Sequence, residues 1–408
     1  MNNTLTLSNA NIVDVANGAI LSNRSLVLRD ENITFIADAS SAPGENADVA
    51  TDVAGRYLCP GLIDAHVHFF LDGGPDPRGR YLESDDEALL ACARDNARLA
   101  LEAGITTMRD CGAPAPLMFD FQRRVKGGEI PGPHIVSCGY PLMRPKGHCH
   151  FMGGEVSGAD DVRRLVEWHL EQGAAFVKLM ASGGGLTPGT VPHEADLPLE
   201  LMQLAADLAQ RHGVPITAHC HATESIERAI EAGLGMVEHA SFVEAPGRYR
   251  YDERLAERLR DRGIVVCPTV VSALRTARRF QESGAAHNPG DVAAVERLLG
   301  RATNAGHFHR RGLDLIAGTD CGATYTPFDS LVDELLSYAE AGMPTAEVLR
   351  VTTRDNARHL RLDRVGEIKE GYRADLILLD ANPLEDLEAL RRPRQVFKSG
   401  QCVYQKRQ

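Results

Sequence analysis

The chain has 408 residues, of which 43% are hydrophobic and 25% charged, an ordinary composition for a globular protein. Its net charge of −12 is the wrong sign for a nucleic-acid or anionic-membrane partner. No apolar run reaches the roughly 20 residues that span a bilayer, and the nine cysteines are scattered singly, which argues against a disulfide framework. The first residues lack the features of a signal peptide, so we expect a reducing, cytoplasmic setting.

The first sixty residues have the pattern of short strands separated by turns. From Gly61 the pattern changes to eight cycles, each with a short apolar run followed by a stretch of helical period. The eight predicted strands are Gly61–His68, Ile105–Arg109, His134–Cys138, Ala175–Met180, Pro215–His219, Met236–His239, Ile264–Thr269 and Asp314–Asp320.

Several helix ends can be predicted between these strands. One helix is expected to begin at Ser84, where Glu87 completes a capping box, and to stop at Gly104. Other helices are expected to end at glycines, which adopt the left-handed conformation with least strain: Gly173, Gly213 and Gly233. The segment Ala277–Val295 has a loop-like composition in its middle.

Eight β-then-α units at this spacing predict an α/β fold, a (β/α)8 TIM barrel rather than a doubly wound sheet. The strand pattern returns after about Leu360. We therefore expect a barrel domain at residues 61–359. Residues 1–60 and 360–408 are expected to join in one small composite β-sandwich.

Two histidines end the first predicted barrel strand. His66 and His68 are two residues apart, and side chains at that spacing point to the same face of a strand. Both imidazoles can therefore reach one metal ion. On their own, the two residues could also be polar groups that finish a strand.

Further metal-ligand types stand at the ends of other predicted strands. His219 ends the fifth strand, His239 the sixth and Asp320 the eighth. In a barrel, the carboxyl ends of the strands converge on one site. Imidazoles from three strands and a carboxylate suit a divalent metal such as zinc.

Lys178 lies inside the fourth predicted strand with apolar neighbours on both sides. An ammonium beside metal cations would be repelled, whereas a lysine carboxylated by carbon dioxide would become a bridging carboxylate. The pattern leaves open whether this side chain faces inward or extends outward along the barrel surface.

The set His66, His68, Lys178, His219, His239 and Asp320, on strands one, four, five, six and eight, resembles the amidohydrolase superfamily. The similarity extends over nearly the whole chain and includes the motifs around residues 59–68, 318–320 and 371–380. The segments around Lys178 and at 147–155 resemble the imidazolonepropionase-like branch, which contains prolidase-type (Xaa-Pro) dipeptidases and ochratoxin-hydrolysing amidohydrolases.

The resemblance implies a role for each ligand. His66, His68 and Asp320 would hold a more buried metal ion, His219 and His239 a more exposed one, and carboxylated Lys178 would bridge them. A hydroxide between the two ions would be the nucleophile. Asp320 would take its proton and pass it to the leaving amine.

The resemblance also suggests catalytic and substrate-binding groups near the metals. His148 occupies the position of a carbonyl-contacting histidine, with His150 as its rival. Arg248, Arg250 and Tyr249 could bind a substrate carboxylate, or could form a solvated loop. The implied substrate is a small molecule bound by a homo-oligomer.

Three further groups of histidines and acids are weaker candidates. His221 could compete with His219, because both lie on the same strand face. The residues His193, Glu194 and Asp196 could line the pocket from a loop, whereas His307 and His309 are expected to be surface or packing residues.

Two departures bear on the activity. True imidazolonepropionases carry an acid where this chain has His221, and some dipeptidases of the branch carry a tyrosine where it has Phe242. The leading prediction is hydrolysis of the amide bond of a dipeptide or N-acyl amino acid. The alternatives are a cyclic amide or amidine hydrolase or deaminase, a lactone or organophosphate ester hydrolase, and a scaffold that has lost catalysis.

Overall fold

The computed structural model describes residues 4–38, 49–282 and 289–406. It is an α/β structure with parallel and antiparallel sheets. Its strands are β1 (Thr4–Asp14), β2 (Ala19–Arg29), β3 (Asn32–Asp38), β4 (Val49–Asp52), β5 (Tyr57–Pro60), β6 (Leu62–Val67), β7 (Ile105–Asp110), β8 (His134–Ser137), β9 (Val177–Met180), β10 (Ile216–His219), β11 (Met236–Glu238), β12 (Val243–Glu244), β13 (Arg248–Tyr249), β14 (Val265–Cys267), β15 (Leu376–Leu379), β16 (Gln395–Lys398) and β17 (Gln401–Gln405).

The helices of the described residues connect these strands and cover them. They are α1 (Pro77–Glu83), α2 (Asp86–Glu102), α3 (Ala115–Lys126), α4 (Ala159–Glu171), α5 (Leu199–Arg211), α6 (Thr223–Glu231), α7 (Glu253–Asp261), α8 (Val270–Glu282), α9 (Pro289–Ala302), α10 (Asn304–Arg310), α11 (Leu331–Glu340), α12 (Thr345–Arg350) and α13 (Asn356–His359). Short 3-10 segments lie at His150–Met152 and Leu387–Arg391, and a π-helical segment lies at Val351–Asp355. Within the described residues, no helix combines the length and the apolar character needed to cross a membrane.

Both ends of the chain contribute to one eight-stranded sheet. Its strands follow the order β17-β16-β15-β5-β1-β2-β3, and β4 pairs with β1. The apolar side chains of this sheet form one buried cluster across the junction of the two ends: Leu7, Ile12, Leu26, Ile33, Leu58, Leu376 and Phe397. Burying each such side chain stabilises the folded state by about 1.5–3 kcal/mol. Hydrophobic burial therefore holds the two ends of the chain together.

Parallel strands occupy the region between these ends. They form a three-stranded sheet, β6-β7-β8, and a four-stranded sheet, β14-β11-β10-β9. Isolated parallel bridges extend both sheets: Leu142 with Leu179, Val67 with Cys321, and Val266 with Leu315. Since every pairing is parallel, the carboxyl ends of these strands lie on one side of the molecule.

The prediction of a regular eighth strand at 314–320 was wrong, because this stretch makes only isolated bridges. Two of its backbone N–H groups donate to buried side chains instead of to a neighbouring strand. Ala317 N donates to Asn356 Oδ1 at 2.9 Å, and Thr319 N donates to Asp64 Oδ1 at 3.1 Å. Backbone hydrogen bonds to the neighbouring strands, such as Ala65 N to Ala317 O at 2.9 Å, and these side chains together hold the segment beside β6.

The helix ends agree with the sequence prediction except at α2. Its N-cap is Asp85, not Ser84, and the Asp85 side chain accepts from Ala88 N at 2.9 Å. Aspartate supplies the same kind of acceptor one residue later. The predicted left-handed conformation is confirmed at the three glycines that follow helices, with φ of 97°, 69° and 72°: Gly173, Gly213 and Gly233.

The segment 277–295 is partly helical. The helix α8 runs to Glu282 and α9 begins at Pro289, so helices occupy both ends of the segment. Its loop-like middle, residues 283–288, lies outside the described residues.

Candidate active site

A cavity of about 300 Å³ lies beside the ends of β9, β10 and β11. Its wall includes side chains from widely separated parts of the chain. All six predicted metal ligands are among them: His66, His68, Lys178, His219, His239 and Asp320. The fold therefore brings the predicted ligands into one place.

The first group of potential ligands consists of His66, His68 and Asp320. The Nε2 atoms of His66 and His68 lie 3.6 and 3.4 Å from Asp320 Oδ1. Burial alone would raise the pKa of Asp320, but the nearby side chains of His68, His66 and Arg301 hold it below its ordinary value. The group therefore offers two imidazoles and an ionised carboxylate to one cation.

A second group consists of His219, His221 and His239, whose ligand atoms lie within 4.8 Å of one another. The ring centroid of His219 is 4.2 Å from that of His221 and 4.6 Å from that of His239. Burial, reinforced by neighbouring positive charges, lowers the pKa of all three imidazoles well below its ordinary value. They are therefore neutral, which is the form that binds metals. His221, which the sequence presented as a rival of His219, belongs to the same group.

In each of three imidazoles, a hydrogen bond occupies one ring nitrogen and leaves the other available to a cation. His68 Nδ1 and His219 Nε2 lie 2.9 and 3.3 Å from backbone carbonyl oxygens. A carbonyl can only accept, so these nitrogens donate and the opposite ones keep their lone pairs. His66 Nδ1 lies 2.8 Å from the Glu238 carboxylate, whereas His66 Nε2 is buried and has no hydrogen-bond partner among the described residues. This pattern is typical of metal-binding histidines, and the donor set fits divalent cations such as zinc.

Lys178 lies on β9 and lines the same cavity as the two groups. Its side chain is 1% exposed and lines the cavity, so it faces inward and does not extend along the outer surface. Burial alone would lower the pKa of Lys178, but the neighbouring Cys111 and Glu238 raise it above its ordinary value. An ammonium here would repel metal cations, whereas a carboxylated lysine would attract them.

The backbone is strained at three residues near the cavity. His239, Thr269 and Asp320 have φ of 68°, 49° and 65°, in the left-handed region that L-residues seldom adopt. His239 Nδ1 also lies 2.7 Å from Thr269 Oγ1, so the two strained residues hold each other in place. Strain of this kind is concentrated at functional sites, where the surrounding structure enforces it.

His148 lies on the cavity wall, whereas its rival His150 does not. The ring centroid of His148 is 4.9 Å from that of His219. Burial lowers the pKa of His148 to about 3, so its imidazole is neutral and can donate one hydrogen bond. His150 lies in a 3-10 segment, with Nδ1 3.1 Å from the backbone oxygen of Gly147.

Two arginines that the sequence did not indicate form a basic part of the wall. Arg297 and Arg301 lie one turn apart on α9, and both line the cavity. The Nη2 atom of Arg301 donates to the backbone oxygen of Thr269 at 2.9 Å, and its buried Nε has no hydrogen-bond partner among the described residues. Arg297 donates to the backbone oxygen of Gly247 at 3.2 Å. These guanidinium groups can bind an anionic part of a ligand.

The arginines and tyrosine that the sequence did indicate lie outside the cavity wall. Arg248 is exposed on β13, and Arg250 pairs with Glu244 at 3.3 Å. The Tyr249 hydroxyl donates to Asn304 Oδ1 at 2.7 Å. These three side chains therefore do not share the cavity with the potential metal ligands.

Apart from His221, the weaker sequence candidates do not line the cavity. Asp196 pairs with Arg144 at 3.1 Å, and neither His193 nor Glu194 belongs to the wall. The ring of His307 stacks on Tyr251 with centroids 4.5 Å apart.

The cavity wall also has an apolar part. It is formed by side chains from the loop after β9, from β12 and from α8 and α9: Leu186, Pro192, Val243, Phe280 and Leu298. A ligand with one apolar part and one anionic part would fit both surfaces.

Comparisons with known proteins identify the family of this chain. The model of the amidohydrolase family matches residues 57–403. The ochratoxinase of Aspergillus niger is 26% identical over 433 aligned positions, which cover 96% of this chain and 84% of that protein. The structure of a Xaa-Pro dipeptidase with bound methionine superposes with a TM-score of 0.88 at 22% identity, covering 99% of this chain and all of the other. The structure of a prolidase complexed with N-methylphosphonate-L-proline superposes with a TM-score of 0.85 at 25% identity, with the same coverage.

The family match extends over most of the chain, including both ligand groups and Lys178. The resemblance stated from the sequence is therefore confirmed. This chain belongs to the amidohydrolase family and is a hydrolase that acts on carbon–nitrogen amide bonds.

Proposed function

We propose that this protein is a binuclear metal-dependent amidohydrolase that cleaves the amide bond of a dipeptide or an N-acyl amino acid. The convergence of four histidines, Asp320 and buried Lys178 on one cavity carries this proposal. His66, His68 and Asp320 would hold one divalent cation, most suitably zinc, and His219 and His239 a second. Lys178, carboxylated by carbon dioxide, would bridge the two ions.

The same proposal includes the domain organisation. Residues 61–359 would form a closed (β/α)8 barrel, and residues 1–60 with 360–408 a composite β-sandwich. The parallel bridges from Val67 to Cys321 and from Val266 to Leu315 support closure, because they connect the two parallel sheets through the segment 314–321. The cytoplasmic setting and the homo-oligomer remain predictions from the sequence.

Asp320 and His148 would have different roles in the reaction. Bound cations would supply Lewis-acid activation of a water molecule and of the scissile carbonyl group. Asp320, whose pKa is held low, would accept the proton of the attacking water and deliver it to the leaving nitrogen. The neutral imidazole of His148 would donate to the carbonyl oxygen as negative charge develops there.

The two surfaces of the cavity support the substrate class. Arg297 and Arg301 would bind the free carboxylate of the amino-acid part, and the apolar surface would hold the rest of the molecule. The L-proline derivative that is bound in the prolidase structure carries such a carboxylate. His221, beside His219 and near Arg301, stands where an imidazolonepropionase would carry an acid, which disfavours the cyclic-amide alternative.

Two measurements test this function together. Elemental analysis of protein purified with zinc and bicarbonate should find about two metal ions per chain, and chelation should abolish activity. A library of dipeptides and N-acyl amino acids should contain substrates whose hydrolysis releases a free amino acid. Two bound metals without any amide hydrolysis, but with turnover of lactones, phosphotriesters or cyclic amides, would contradict the proposed substrate class.

A further inference from the structure

Glu238 lies behind His66, outside the cavity wall, and both of its carboxylate oxygens have assigned partners. Oε2 is 2.8 Å from His66 Nδ1. Oε1 accepts from Arg109 Nη2 at 2.6 Å and from Thr217 Oγ1 at 2.7 Å. The side chain is 0% exposed, so no solvent competes for these bonds.

Arg109, the charged partner of Glu238, is itself held from several directions. Its Nε donates to the backbone oxygen of Ala65, and its Nη1 lies 2.9 Å from Met236 Sδ. The guanidinium carbon lies 5.1 Å from the ring centroid of Phe176. These contacts connect β7 with β6, β11 and the residue before β9. Arg109 therefore fixes the Glu238 carboxylate in space.

We infer that Glu238 is a positioning residue that holds His66 with its proton on Nδ1 and its lone pair on Nε2. An anionic carboxylate can only accept, so it selects this tautomer and directs Nε2 towards the side occupied by Asp320. Arg109 and Thr217 keep the carboxylate in place. The inference rests on the proposed metal centre, because it concerns the geometry of one of its ligands.

Glu238, His66 and Cys111 also lie close enough together to be considered as a cation site of their own. The contacts of Glu238 argue against a separate cation site here. The guanidinium of Arg109 already supplies the cation for Oε1, at 2.6 Å. The group therefore supports His66 from behind instead of holding a separate ion.

The substitution Glu238→Gln keeps the shape of the side chain but replaces its carboxylate with an amide. An amide has one acceptor oxygen and one donor nitrogen. If its oxygen faces Arg109 and Thr217, its nitrogen donates to His66 Nδ1 and moves the ring proton to Nε2, where it blocks the cation. If the amide is reversed, its nitrogen faces two donors. Either orientation disturbs His66.

The test is a titration of metal-free protein with Zn²⁺ in competition with a chromophoric chelator. We expect the Kd of the tighter site to rise about 10- to 100-fold in Glu238→Gln, the usual effect of losing such a partner. NMR of ¹⁵N-histidine-labelled protein should show the His66 proton on Nδ1 in the wild type and displaced from Nδ1 in the variant. A merely structural role would not move this proton.

Glu334→Gln is the matched control, since it makes the same change at a second fully buried carboxylate that contacts none of the proposed ligands. A folded Glu238→Gln protein with the wild-type Kd and tautomer overturns the inference and leaves the proposed function intact. Wild-type protein that binds no Zn²⁺ overturns the proposed function instead. If Glu238→Gln does not fold, Glu238→Asp keeps the charge but shortens the reach to His66, and an unchanged Kd and tautomer there overturn the inference.

Discussion

A Cβ atom on Gly184 would lie 2.4 Å from Nε2 of His148. Contacts under 3.0 Å are essentially absent for real Cβ atoms, so any other residue at 184 would displace the imidazole. The next residue, Gly185, also lines the cavity, but a Cβ there would meet no atom within 4 Å. In the loop after β9, the position of His148 therefore requires a glycine at 184 but not at 185.

Gly184→Ala should lower kcat/KM for the amide substrate by about 100-fold, because it moves a group that we expect to stabilise the developing charge on the carbonyl oxygen. The metal content should stay at the wild-type value, since no proposed ligand is displaced. Steady-state kinetics and elemental analysis of the same preparation measure both. Gly185→Ala is the control and should retain nearly full activity. Equal activity in the two variants would show that the position of His148 does not matter for catalysis.

Arg297→Met should weaken the recognition of substrates that carry a free carboxylate. A charge-assisted hydrogen bond contributes about 1.5–3 kcal/mol, so kcat/KM should fall by roughly 10- to 100-fold for an N-acyl amino acid. For the matching carboxamide, which has no negative charge, kcat/KM should change little. The exposed Arg250, which pairs with Glu244, provides the control Arg250→Met. An equal loss on the acid and on its carboxamide would mean that Arg297 only supports the pocket.

The convergence of the proposed histidine and aspartate ligands could be predicted from the sequence because each of them stands at or beside the end of a predicted strand. Strand ends converge in space whatever their separation along the chain. Lys178 was recognisable as a charge within an apolar strand, although the pattern could not fix its direction. In the folded chain this side chain faces the cavity.

The supporting residues could not be predicted in the same way. Glu238 and Arg109 are both buried charges in short strands, and this is a signal that they need partners. The sequence does not show that these two strands place them 2.6 Å apart. Arg297 and Arg301 have the spacing of one helix face, but only the packing of α9 decides what that face covers. Arg248 follows the sixth strand closely, yet the hairpin β12-β13 directs it into solvent.

Lys178→Ala should bind fewer metal ions than the wild type, with a loss of at least one of the two per chain. The substitution removes the proposed bridge and leaves a small cavity in its place, since the lysine side chain is 1% exposed. A short carboxylic acid such as acetate or propionate could occupy this space and supply a bridging carboxylate. We therefore expect millimolar acetate to restore part of the metal content and of the activity.

The exposed Lys146 provides the control for this substitution. Lys146→Ala should keep the wild-type metal content and should not respond to acetate. If Lys178→Ala binds two metal ions without added carboxylate, the bridging role of the lysine is refuted, and a centre held by the histidines and Asp320 alone would remain.

Glu334 should make the stability of the protein depend on pH. Its carboxylate accepts from the N–H groups of Val270 and Val271, at 2.9 and 2.6 Å, and so anchors the start of α8. Burial nevertheless raises the pKa of Glu334 from about 4.5 to about 7. The folded state therefore binds the proton more tightly than the unfolded state does. The stabilisation from that proton is complete below about pH 4.5 and is lost as the pH rises through 7.

The expected contribution is on the order of 3 kcal/mol between pH 5 and pH 8, with the wild type less stable at the higher pH. Urea unfolding of the metal-free protein at each pH measures it, since metal binding would add its own proton linkage. In Glu334→Gln the contribution should disappear, so the unfolding midpoints of the variant should vary less with pH than those of the wild type. The amide also faces two backbone donors with only one acceptor, so the variant should be less stable at pH 5, where the wild-type carboxyl is protonated. Parallel pH profiles for the two proteins would assign the pH dependence to other groups and would mean that Glu334 is ionised in the folded state at pH 5.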